Sequence, residues 1–120
     1  MSNTITVQQQ IDICDQFSAA LSRAKKLQSL AVGAGDLVSA HAFGADAAQL
    51  SYTVTMLQQQ ASVQWVADAN DAIKTVTAAQ AAIQQSITQI NAIIKSAQNI
   101  STALNILDQV IALAAKLAPA

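Results

Sequence analysis

Glutamate is absent from this 120-residue chain; all seven acidic residues are aspartates, at positions 12, 15, 36, 46, 68, 71 and 108. The absence excludes the Glu-x-x-His constellations that build carboxylate-bridged metal sites inside helical bundles. It also makes each acid a positional marker, because Asp favours helix caps and first turns over helix interiors. Cys14 is the only cysteine, so there is no intrachain disulfide. Proline occurs once and glycine three times, which leaves few helix breakers. Aromatics make up 3% of the residues, so the core has to come from Ala, Ile, Leu and Val. Charged residues are 11% and the net charge is −1, so no global basic field draws nucleic acid. No apolar run approaches the roughly 18 residues of a conventional membrane span. The start, MSNTITVQQQIDIC, lacks the basic segment and apolar run of a secretory signal. It predicts cytoplasmic synthesis and leaves leaderless export open.

What is present favours helix. Alanine occurs 26 times and glutamine 16 times, and both lose little on entering a helix. Residues Thr4 to Ala31 read as helix one, with Val7, Ile11, Cys14, Phe17, Leu21, Ala24, Leu27 and Ala31 at alternating spacings of three and four. Val32-Gly33-Ala34-Gly35 reads as a stop and turn, with Asp36 capping the next helix. Helix two runs from Leu37 toward Ala67 on the line Ala47, Leu50, Val54, Leu57, Ala61 and Trp65, with a kink allowed near Gly44. Asp68-Ala69-Asn70-Asp71 is a turn with two candidate caps. Helix three follows, with Ile73, Val76, Gln80, Ile83, Ile87, Ile90, Ile94 and Ala97 on one face. Near Gln98 to Ser101 the apolar register slips, which reads either as a break or as a shift within one continuous helix. Lys95, Asn99 and Ser101 favour the break. Helix four then runs from about Ser101 to Leu117 on Leu104, Leu107, Ile111 and Ala114. The whole predicts one all-α domain over residues 1–120, an antiparallel bundle of about four helices. At 1.5 Å per residue, helices one and three are each about 40 Å long.

Candidate chemistry is sparse. His41 has Asp36 and Asp46 five residues to either side, a spacing that does not share its helix face, so a surface or structural histidine is the plainer reading. Cys14 lies on the apolar line of helix one, where a small thiol packs well. Asp12 and Asp15 share a face, as dipole-complementary surface acids would. Gly33-Ala34-Gly35 lacks the strand and the GK[ST] of a phosphate loop. Arg23, Lys25 and Lys26 form the one basic cluster, without aromatic residues for base stacking. No catalytic residue, metal ligand, cofactor or small-molecule substrate is indicated, and a non-enzymatic role is expected.

The unusual feature is the lack of charge over Ala47 to Ala67 and Thr75 to Ile94. There the polar faces are Gln, Ser, Thr and Asn, unlike the mixed-sign surface of an ordinary soluble helix. Neutral polar groups can be buried against a partner without the desolvation cost of ions. The expected interaction face is Gln58, Gln64, Trp65, Gln84, Gln85, Gln89 and Asn91. Trp65 there is either core filling or an interface anchor. The expected role is a self-assembling or complex-forming helical subunit. The alternative is a membrane- or lipid-active amphipathic protein. In length and in Ala/Gln/Ser/Thr bias the chain resembles Reb-type subunits of bacterial R-bodies. In its helical hairpins it is similar to small α-helical pore-forming toxin components. These likenesses rest on composition and outline, not on an aligned motif, and carry over no sites.

Overall fold

The computed structural model describes residues 7–59 and 72–117. Four α-helices account for nearly all of them: α1 (Val7–Gly33), α2 (Leu37–Gln59), α3 (Ala72–Ser96) and α4 (Ala103–Leu117), with a 3₁₀ turn at Ile100–Thr102 before α4. They pack into an all-α bundle with no strand among the described residues.

Two hairpins make the bundle. The first turns through Gly33 to Asp36, where the Gly35 N–H donates to the Val32 carbonyl and the Asp36 N–H to the Ala31 carbonyl. That pair of bonds is a Schellman motif, and Gly35 holds its left-handed position at φ 78°. Asp36 also starts α2: its carboxylate accepts the Ser39 N–H at 3.1 Å. Bonds from the Ser39 hydroxyl and N–H hold the Asp36 carboxyl below its ordinary pKa. One aspartate thus ends the turn and caps the next helix, as the sequence predicts.

The second hairpin is made differently. Ala97 is left-handed at φ 55°, and its N–H reaches the Ile93 carbonyl at 2.9 Å, closing α3 with a single αL bond. Asn99 is left-handed as well, without a side-chain capping bond, and Thr102 bonds back to the Asn99 carbonyl through both its N–H and its hydroxyl. The register slip near Gln98 is therefore a break between α3 and α4.

Hydrogen bonds between helices fix their directions. Gln10 of α1 reaches the Leu57 carbonyl of α2, and Gln28 of α1 meets Gly44, so α1 and α2 are antiparallel. Gln16 reaches the Gln80 carbonyl and Arg23 reaches Asn91, so α1 and α3 run parallel side by side. Helix α4 packs against α2 and α3, which leaves α2 and α3 on one diagonal. The antiparallel relation holds within each hairpin, and the hairpins lie against each other with like-directed helices adjacent.

The core contains Phe17, Leu27, Phe43, Leu50, Leu57, Ile83, Ile90 and Leu107, with Ala20, Ala24, Ala31, Ala103 and Ala114 where helices meet closely. The predicted lines for α2 and α3 hold at Ala47, Leu50, Val54, Leu57, Val76, Ile83, Ile87 and Ile90. Two lines rotate. In α1, Ile13 is buried and Ile11 is 47% exposed; Ala20 is buried while Leu21 is only half-buried. In α4, Ala103 and Val110 are buried, with Leu104 and Ile111 half-buried. Gly44 lies within an uninterrupted α2. Ala61, Trp65, the Asp68–Asp71 turn and the Ala67 end of helix two fall outside the described residues.

Candidate interaction surface

The sequence singles out the neutral face of α3, and the fold divides it. Gln85 and Gln89 point toward α4. With Ala82, Ser86, Gln109, Ala112 and Leu113 they line a groove of about 340 Å³ between the two helices. Three of its lining residues are small: Ser86 is buried, Ala82 half-buried and Ala112 exposed. Gln85, Gln89 and Gln109 are exposed carboxamides. No lining residue carries a charge.

The other flank of α3 lies against α1. There Asn91 accepts a hydrogen bond from the Arg23 guanidinium at 2.6 Å. A cation from α1 thereby reaches a face that is uncharged within its own helix. Gln84 is exposed, and its backbone carbonyl accepts the Thr88 hydroxyl at 3.0 Å. Thr53 and Thr55 of α2 bond back to carbonyls four residues earlier in the same way. Such back-bonding satisfies threonine hydroxyls within the helix and leaves the glutamine carboxamides as the face's outward polar groups.

Gln58 is exposed near the end of α2. With Gln10, Ile11, Cys14 and Asp15 it lines a separate cavity of about 200 Å³ against α1. Gln64 and Trp65 lie outside the described residues. Of the predicted interaction face, then, Gln85 and Gln89 come together, while Gln58, Gln84 and Asn91 lie elsewhere. Gln109, Ala112 and Leu113 were not singled out from sequence. Their signal was Gln109 beside small Ala112 on the outward side of α4, and it becomes legible only once α4 is known to pack beside α3.

The reactive residues occupy ordinary positions. Cys14 is buried, and its thiol is pushed up to about 11 by burial, with the nearby Asp15 charge adding to this. A thiol so protonated is a poor nucleophile. His41 is exposed on α2. Among the described residues no three His, Cys, Asp or Glu side chains converge as a metal site would need.

One charged pair is unusual. Asp46 on α2 meets Asp108 on α4, and one Asp46 oxygen is buried without a hydrogen-bond partner. Burial pushes the Asp46 carboxyl up to about 6, helped by the Asp108 charge and by a hydrogen bond between the two side chains. Comparison with known proteins found no matching family, no similar curated protein and no similar solved structure.

Proposed function

We propose that the chain is a non-enzymatic helical subunit that associates with further copies of itself through the α3–α4 groove. The carrying observation is the uncharged groove itself, lined by the carboxamides of Gln85, Gln89 and Gln109 and by the small Ala82, Ser86 and Ala112 beside Leu113. The small side chains in the lining admit the close approach of another helix. The carboxamides offer both donors and acceptors, so a neutral partner face satisfies them without stripping water from an ion. A net charge of −1 places little self-repulsion in the way. Glutamine pairing with glutamine makes a second copy of the same groove the simplest partner, as a two-fold interface requires.

Light scattering on the protein as it elutes from a sizing column tests this across a concentration series. The expected mass exceeds the 12.5 kDa of one chain and rises with concentration. A constant single-chain mass at the highest concentration contradicts self-association.

A further inference from the structure

The end of the bundle formed by the α1–α2 turn has a different chemistry. Val32, Leu37 and Val38 are 54%, 68% and 83% exposed, and these three are most of the large apolar side chains left open among the described residues. Gly33, Ala34 and Gly35 between them are exposed as well. The turn is therefore an apolar tip, held rigid by the Schellman bonds on one side and the Asp36 cap on the other.

Cations stand behind the tip. Lys25 and Lys26 are exposed on α1, two turns before Gly33 and about 11 Å back along the axis. Lys95 is exposed in the last turn of α3, which ends at the same end of the bundle because α1 and α3 are parallel. Between Lys26 and Asp46 the only formal charge is Asp36, whose carboxylate is occupied with Ser39.

We propose that this end docks on an anionic lipid surface, with Val32, Leu37 and Val38 entering the headgroup layer and Lys25, Lys26 and Lys95 meeting lipid phosphates. Two observations select this occupant. The exposed apolar side chains flank the α1–α2 turn at the end of the bundle rather than lining a groove. Lys25 and Lys26 lie behind them by about the depth to which interfacial apolar groups enter a bilayer. Lysine stems can reach the phosphates while their apolar carbons stay against the interface. Among the described residues no helix is long and apolar enough to cross a membrane. The proposal is independent of the α3–α4 groove, which lies farther along the bundle.

Vesicle co-sedimentation tests it, with phosphatidylcholine vesicles set against phosphatidylcholine/phosphatidylserine vesicles. The chain is expected to bind the anionic vesicles more tightly, and added salt is expected to weaken that binding. The double substitution Leu37→Ser/Val38→Ser alters only exposed positions and should lower binding by at least about tenfold. Asp36→Asn keeps a capping side chain and removes the one acid at the tip. It should raise anionic-vesicle binding by about fivefold, a gain that a purely structural role for Asp36 does not produce. No binding to phosphatidylserine vesicles at low salt overturns the proposal. So does wild-type binding by the tip double variant. A tip variant that changes the mass in solution but not vesicle binding also overturns it, and makes the tip a protein contact.

Discussion

Three residues hold backbone or charge in positions that cost stability, and each gives a measurable consequence. Ala97 takes the left-handed conformation that, where it ends a helix, is usually supplied by glycine. An L-residue there costs about 1–2 kcal/mol. Ala97→Gly should therefore raise unfolding stability by about 1 kcal/mol, read as a higher urea midpoint at unchanged slope. Gly44 is the converse case, a glycine inside a helix. A Cβ there would meet the Gln28 Nε2 at 2.7 Å, but that atom is the far end of a flexible side chain. The helix gains about 1 kcal/mol from alanine. Gly44→Ala should thus stabilise by about 0.5 kcal/mol once the displaced Gln28 contact is subtracted.

Asp46 carries the pH dependence. Its folded pKa, about 6, lies above the ordinary 3.8, so the folded chain holds a proton that the unfolded chain has released. Stability from this group is complete below the ordinary value and is lost as pH rises from there through about 6. Full linkage would be about 3 kcal/mol, and solvent screening at a half-exposed group reduces it to about 1 kcal/mol. Asp46→Asn should abolish this fall and be the more stable form at about pH 7, since a carboxamide N–H can donate to Asp108 without adding charge. Urea unfolding at a series of pH values reads both effects. Asp36 acts in the opposite sense. Its pKa is lowered, so its capping contribution is present above the ordinary carboxyl range and lost as pH falls below it.

At the scale of elements, much of the bundle was legible in the sequence. The isoleucine spacing of α3 and the leucine and valine spacing of α2 led directly to buried residues, because each helix has one dominant inward face. Helix α1 was less legible. It packs against α2 and α3 and, across the bundle, against α4 as well, so its buried arc is wide and takes in Ile13 and Ala20 beside the expected line. The end of α1 and the start of α2 were legible through Gly35 and Asp36. The end of α3 was marked less directly: Ala97 carries no turn signal, and the break showed as a slip in register supported by Lys95, Asn99 and Ser101. The interaction face was the least legible. A charge-free run in one helix does not reveal which neighbour lies beside it, and Arg23 arriving from α1 divides the face of α3. The order of helices around the bundle, with α2 and α3 diagonal, is long-range information that periodicity does not contain.

At the scale of the whole molecule, charge is distributed unevenly along a bundle whose longest extent is 53 Å. Arg23, Lys25, Lys26 and Lys95 gather toward the end with the apolar tip, whereas the α3–α4 groove carries none. The bundle therefore offers two surfaces of different chemistry: a neutral carboxamide groove suited to another helix, and a cation-backed apolar tip suited to anionic lipid. Substitutions at one should leave the other's behaviour intact, because their side chains share no contact.

The central claim is that copies meet through the groove, and sedimentation equilibrium on the wild-type chain beside Gln85→Glu/Gln89→Glu tests it most directly. Both glutamines are exposed, so the added carboxylates leave the fold in place but bring like charges together across a two-fold interface. The predicted result is a wild-type mass above 12.5 kDa and a double variant that returns to the single-chain mass with unchanged helicity. Equal masses for the two proteins would contradict the assignment of the interface to this groove.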